Sequence, residues 1–320
     1  MNYRQLGTTN LKVSEIGFGA WGIGGATPGP TSYGKTDDIT SLAALESALK
    51  AGINFFDTSN VYGYGHSERL IGQAFAHRRK EIIIATKAGF VDYESRPDFS
   101  ANAILKSVDS SLARLNTDYI DLLQLHNPSA DWLKEHPSTL LALSRLQEEG
   151  KVRSLGISIK QPADAFALLE LFPFQVVQAN FNMLDIRVVE SGLLQKLNDS
   201  GAGLIGRTPL AFGFLAGALT GEETFAPQDH RSRWSREQIR LWAMGARDLL
   251  ACCEESFESP AYQVALRFCL SYPQVSTTIA GMLTPAQVAS NVLASEAGPL
   301  SLESCASIEA LHKIRQFFVN

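Results

Sequence analysis

Ile53-Asn54-Phe55-Phe56-Asp57-Thr58-Ser59-Asn60-Val61-Tyr62-Gly63 passes from an aromatic, β-branched run into a polar turn that ends on glycine. The run reads as a strand over Asn54–Asp57 and the turn leads into an amphipathic stretch over Ser67–Ala76, which together make one β-then-α unit. The preceding Lys50-Ala51-Gly52 places glycine where a helix over Asp37–Ala51 stops.

Working outward, the same unit recurs. Strands are expected at Glu15–Ala20, Asn54–Asp57, Ile82–Thr86, Tyr119–Leu125, Arg153–Ile157, Val176–Ala179, Gly203–Gly206 and Val275–Ile279. Helices are expected at Asp37–Ala51, Ser67–Ala76, Ala101–Leu115, Ser138–Glu149, Ala163–Leu171, Val189–Asn198, Tyr262–Ser271 and Pro285–Leu293, with Leu302–Phe318 as a terminal helix. Parallel strands need helical crossovers, and eight of them close without leaving an edge. The expectation is an α/β chain forming one (β/α)8 TIM barrel over residues 1–320, with an N-terminal extension, long substrate loops and a C-terminal helix.

A doubly wound open sheet is the competing fold, but no strand runs into a G-x-G-x-x-G turn. Gly17–Gly25 is glycine-rich without phosphate-loop spacing and is expected to be a mobile loop above the first strand. A second long loop, Phe212–Ser235, has the place of a substrate-recognition loop, with Arg231, Arg233 and Trp234 available to a polar or anionic group, although an ordinary solvated loop is the favoured reading of those residues.

Composition limits the partners. The chain is 45% hydrophobic and 19% charged with a formal net charge of −5, an ordinary globular balance that points away from nucleic acid. Neither a secretory leader nor a bilayer-length apolar run is visible, so a cytoplasmic location and no membrane partner are expected. Cys252, Cys253, Cys269 and Cys305 lack zinc-site spacing, and no metal is expected.

Four polar residues stand at or just beyond the ends of successive strands: Asp57, Tyr62 five positions on, Lys87 and His126. In a barrel these ends converge on one rim. Singly, each has a structural use as a cap, a turn residue or an ion-pair partner. Together they resemble a known family. Phe56–Gly63 with Ser67-Glu68-Arg69-Leu70-Ile71-Gly72, then Ala85-Thr86-Lys87, then Asp121–His126, is similar to the aldo-keto reductase signature, and the resemblance runs from Leu6–Ser14 through Lys151–Ser158 to Gly281–Asn291. It includes the sugar-dehydrogenase-like and potassium-channel β-subunit-like branches.

The resemblance implies an NAD(P)-dependent oxidoreductase that moves hydride between nicotinamide and an aldehyde, ketone or sugar-type alcohol. Tyr62 would be the general acid or base, Lys87 its cation, Asp57 the group that orients Lys87, and His126 a partner of the substrate oxygen. A phenol of pKa ~10 would need to fall by about three units, and an ammonium about 4 Å away supplies roughly the required 4 kcal/mol. Histidine at 126, where the enone-reducing members carry a carboxylic acid, implies carbonyl rather than C=C reduction.

The resemblance also gives Ser158 and Gln178 to the carboxamide and Arg207, where the family often has a stacking aromatic residue, to the nicotinamide ring. Pro209, Leu210 and Gly213 fall in the pyrophosphate segment, and Gly281, Leu283, Gln287 and Asn291 at the adenosine end. No Lys or Arg stands near Leu283 to meet a 2′-phosphate, so NADP(H) and NAD(H) both remain open. Trp21 and Trp132 are candidate substrate walls, each with an alternative use as a loop anchor. Two other functions stay open: a lyase or aldolase forming a Schiff base at Lys87, and a slow-turnover regulatory or binding subunit.

Overall fold

The computed structural model describes residues 1–319. An antiparallel hairpin of β1 (Tyr3–Gln5) and β2 (Lys12–Ser14) comes first. The barrel then runs β3 (Ile16–Gly19), α1 (Asp38–Lys50), β4 (Phe55–Asp57), α2 (His66–Phe75), β5 (Ile83–Ala88), α3 (Ala101–Leu115) and β6 (Ile120–His126). It continues with α4 (Ala130–Glu135), α5 (Ser138–Glu148), β7 (Val152–Ser158), α6 (Pro162–Leu171), β8 (Val176–Asn180), α7 (Arg187–Glu190), α8 (Leu193–Ser200) and β9 (Gly203–Arg207). The last elements are α9 (Arg236–Ala251), α10 (Ala261–Leu270), β10 (Val275–Gly281), α11 (Pro285–Ala297) and α12 (Leu302–Ile314).

Strands β3 to β10 pair in parallel with their sequence neighbours, and β10 returns to β3 to close the barrel. All eight expected strands form. The period-two alternation of strand side chains divides the core. Outward residues such as Phe56, Ile84, Leu123, Leu155, Val177 and Leu204 join the large cluster that the helices cover. Phe55, Ala85, Leu122, Val176, Ile205 and Ile279 form a separate cluster with Leu6, Leu11 and Val13 of the hairpin segment. The extension is therefore a plug that closes the N-terminal end of the barrel. Arg4 fastens it, donating to Glu15 at 2.7 Å and to the carbonyls of Leu270 at 2.8 Å and Val275 at 2.9 Å.

Four expectations are corrected. Gly17 and Gly19 lie in β3, and Gly22–Gly24 is a buried 3-10 turn rather than a mobile loop. A β-carbon at Gly24 would come within 2.9 Å of the Tyr62 carbonyl carbon, so close backbone packing explains that glycine. The helix expected over Val189–Asn198 divides into α7 and α8 at Ser191-Gly192, where Gly192 adopts φ 76°. Helix α9 was not expected from the sequence, and the terminal helix stops at Ile314. Beyond it the chain is held by Gln238, whose amide donates to the Phe317 carbonyl at 3.0 Å and accepts from Val319 N at 2.8 Å.

Candidate active site

Two residues along each strand from the apolar tier, the inward face changes character. Phe55 gives way to Asp57, Ala85 to Lys87, Leu122 to Gln124 and then His126, Val176 to Gln178, and Ile205 to Arg207. Register brings these positions together, with Lys87 opposite Gln124, His126 opposite Ser158, and Ser158 opposite Gln178. A polar tier thus sits on an apolar one at the C-terminal mouth, the end at which barrel active sites are built.

At its centre Asp57 is 2% exposed and Lys87 1%. Lys87 Nζ donates to Asp57 Oδ1 at 2.5 Å, to the Thr58 carbonyl at 2.8 Å and to the Tyr62 hydroxyl at 3.3 Å. Three donations use all three ammonium protons. The other carboxylate oxygen of Asp57 accepts from Gln178 at 2.7 Å and from Gln124 at 3.0 Å. Tyr62 and His126 are only partly buried and face the mouth, their rings edge-on with centroids 6.5 Å apart. Tyr62 is followed by Gly63, Tyr64 and Gly65, all at positive φ. A β-carbon at Gly63 would collide with the Gly24 carbonyl, so this turn admits only glycine there.

The electrostatics correct one expectation. Burial pushes the Tyr62 phenol above its ordinary value of 10.0, and the Asp57 charge raises it further against the opposing pull of Arg207. The Lys87 ammonium alone would lower the phenol, but it comes with desolvation and with the Asp57 carboxylate, which together outweigh it. Burial lowers Lys87 while Asp57 opposes the shift. His126 falls well below 6.5 through burial and then the Lys87, Arg207 and Lys160 charges, so its ring is neutral. Its Nδ1 is buried without a partner.

The remaining sequence-expected residues divide by location. Ser158 is buried and donates to Gln178 Oε1 at 3.4 Å, while the Gln178 nitrogen is turned inward to Asp57 and to Gln124 at 3.1 Å. Arg207 ends β9 and reaches the end of β7, where Nη2 donates to the Ile159 carbonyl at 2.9 Å. Beyond it, Pro209, Leu210 and Gly213 belong to a strained turn in which Thr208, Ala211, Phe212 and Gly213 all have positive φ. Left-handed backbone at a β-branched Thr is rare and collects at functional sites. Gly281 ends β10 with open space around it. Leu283 packs against Gly22, and its N–H donates to Gln287 Oε1 at 2.6 Å. Asn291 is 4% exposed inside α11.

The two tryptophans differ. Trp21 meets Tyr33 and His230 with centroids 5.2 and 4.6 Å away. Trp132 lies in α4 and stacks on His136 at 4.0 Å, the contact of a helix anchor. The long loop after β9 crosses to the Trp21–Tyr33 segment, where His230 N donates to the Ser32 carbonyl at 2.9 Å. Arg231 is committed to Asp229 at 2.7 Å.

A family model described as "Aldo/keto reductase family" matches residues 15–313. The chain belongs to the aldo-keto reductase family. It is 33% identical to L-galactose dehydrogenase of Arabidopsis thaliana over 319 residues, covering 96% of this chain and 93% of that one. An NADH-specific methylglyoxal reductase of Escherichia coli is 28% identical over 305 residues, 90% of this chain and 92% of its own. Among solved structures, the holo form of aldo-keto reductase AKR11C1 from Bacillus halodurans superposes with a TM-score of 0.79 at 30% identity, covering 100% of this chain and 98% of that chain. Oxidoreductases thus number among the relatives of this aldo-keto reductase. No helix among the described residues is long and apolar enough to cross a membrane.

Several residues of this aldo-keto reductase site escaped the sequence reading. Gln124 donates to Asp57, and its signal was its place two residues before His126 on the same strand face. Glu68 is fully buried, accepting from Thr86 and from Arg114, both at 2.6 Å. Tyr93 OH and Asn127 Oδ1 are buried without partners. Both lie on loops, where no periodicity points inward.

Proposed function

We propose that the protein exchanges hydride between NAD(H) or NADP(H) and an aldehyde, ketone or sugar-type alcohol, with Tyr62 as general acid in reduction and general base in oxidation. The observation that carries this reading is the Tyr62 hydroxyl 3.3 Å from Lys87 Nζ at the barrel mouth. The raised phenol keeps its proton at neutral pH, which is the form from which reduction starts. As charge develops on the substrate oxygen, Tyr62 donates its proton and the nearby ammonium stabilises the phenolate that remains. Asp57, itself held by Gln124 and Gln178, fixes the position of Lys87. Neutral His126 offers a ring N–H to the same substrate oxygen.

When bound, the nicotinamide supplies or accepts the hydride. Buried unpaired atoms at His126 Nδ1 and Arg207 Nε, and the left-handed turn after β9, suit a polar ligand at this mouth. Ser158, Gln178 and Arg207 would hold the ring end, Pro209, Leu210 and Gly213 the pyrophosphate, and Gly281, Leu283, Gln287 and Asn291 the adenosine. The lack of Lys or Arg from Gly281 to Asn291 weighs toward NAD(H), while relatives named one as NADH-specific and another with NADP(+) keep both cofactors in the proposal. Trp21 stands as a candidate substrate contact, whereas Trp132, stacked on His136, keeps the anchor reading. A Schiff base at Lys87 has less support, because the amine is 1% exposed and fully engaged.

Tyr62→Phe is the test, read by steady-state turnover on a carbonyl panel and by cofactor titration in parallel. Turnover should fall by at least about 10²-fold with cofactor affinity retained. Near wild-type turnover would falsify the role of Tyr62.

A further inference from the structure

Arg207 brings to the mouth a charge that forms no ion pair among the described residues, the carboxylates that feel it, Asp57 and Asp185, being paired with Lys87 and Arg187. The other arginines nearby are engaged, Arg187 with Asp185 at 2.5 Å and Arg231 with Asp229 at 2.7 Å. Arg207 instead gives Nη2 to a carbonyl, and its Nε is buried without a partner. Register fixes its place, since its backbone lies between Asn180 of β8 and Ile279 of β10. Its side chain spans toward β7 on the side where Ser158 and Gln178 stand. Asp57 is the one carboxylate in the polar tier with Lys87, and the Lys87 ammonium already neutralises it. With His126 neutral and Tyr62 protonated, the tier keeps a net positive charge that resides on the guanidinium.

Oxidised nicotinamide carries a positive ring charge, and reduced nicotinamide carries none. We infer that Arg207 selects the redox state of the cofactor, its uncompensated guanidinium favouring the neutral reduced ring over the cationic oxidised one. This rests on the cofactor reading above and adds which of the two forms the site prefers. In alcohol oxidation, Tyr62 must first give up its proton; hydride then leaves the carbinol carbon with the C–H electron pair, the hydroxyl proton passes to the Tyr62 phenolate, and the ring charge disappears. A fixed cation therefore favours the complex with reduced cofactor over the complex with oxidised cofactor. In the reductive direction it hastens departure of the oxidised form. A planar aromatic residue at this position would stack without this bias, so the consequence is particular to arginine here.

The experiment is titration of the wild type, Arg207→Gln and Arg207→Lys with NAD+, NADH, NADP+ and NADPH, following tryptophan fluorescence, with circular dichroism to verify folding. The ratio of oxidised-form to reduced-form Kd should drop about tenfold or more in Arg207→Gln, since a unit charge near a ring at an effective dielectric of ~20 exceeds that effect. Arg207→Lys should keep most of the ratio. A purely structural role would weaken both forms equally and leave the ratio unmoved. An unchanged ratio in Arg207→Gln, with both forms still bound, overturns the inference and leaves the cofactor reading standing. No binding of any form by the wild type overturns that reading and the inference with it. Should Arg207→Gln not fold, the wild type decides: a reduced form bound about tenfold tighter supports the inference, and equal affinities overturn it.

Discussion

Replacing Lys87 with Met keeps the side chain's length and removes its charge. In the wild type one oxygen of Asp57 accepts from Lys87 at 2.5 Å and the other from Gln178 at 2.7 Å and Gln124 at 3.0 Å. Removing one partner of a buried pair costs about 3–5 kcal/mol. The two amide donors remain with Asp57, which sets the loss at the lower end, about 3 kcal/mol. At about 2.1 cal/mol/K per residue the unfolding entropy of a 320-residue chain is about 0.7 kcal/mol/K, so Tm should fall by about 4–5 °C. Asp57→Asn combined with Lys87→Met removes both charges and should fall by less than the two single variants added together. Thermal unfolding followed by far-ultraviolet circular dichroism reads the whole cycle. A Lys87→Met protein that melts with the wild type would contradict this expectation. The pair would then contribute nothing, and the charge assigned to Lys87 beside Tyr62 would be lost with it.

Two further outcomes are expected. Burial among Trp21, Tyr33, Phe212 and Trp234 holds His230 down to about 4 from 6.5. A depressed folded pKa means that stability is complete above pH 6.5 and declines as pH falls from 6.5 toward about 4. His230→Phe keeps the ring packing without the titration and should lose less Tm between pH 7 and pH 5; parallel profiles for the two proteins would contradict this. Leu283→Arg should move the ratio of kcat/KM for NADP(H) over NAD(H) upward by about tenfold, because a charge-assisted contact to phosphate is worth roughly 1.5–3 kcal/mol. An unmoved ratio would detach position 283 from the 2′-phosphate end of the site.

Much of this was legible in the chain because the barrel writes itself as alternation. Phe55 before Asp57, Ala85 before Lys87 and Leu122 before Gln124 each record an inward face changing from apolar to polar, and the strands around them formed as expected. Asp57, Tyr62, Lys87 and His126 were readable because strand ends share a rim. Helix α9 was legible but went unread: Ile239, Trp242, Ala243, Ala246 and Leu249 repeat at helical spacing, with Arg236, Arg240 and Arg247 on the exposed face. The hairpin plug was hidden because its strands have three residues each, too few to show a period. The direction of the Tyr62 shift needed depth, since sequence order names Lys87 as a neighbour but cannot weigh burial against it. Gln124 shows the same limit: its partner Asp57 lies 67 positions away.

The hairpin plug has an electrical consequence. Leu6, Leu11 and Val13 seal the barrel below Asp57 and Lys87 with hydrocarbon, while the half-buried Tyr62 and His126 lie at the opposite, open end. Charges set between a poorly polarisable floor and an open mouth have their field lines crowded toward the opening. The barrel then works as an electrostatic nozzle, in which an apolar stopper at one end sharpens the potential that an arriving molecule meets at the other.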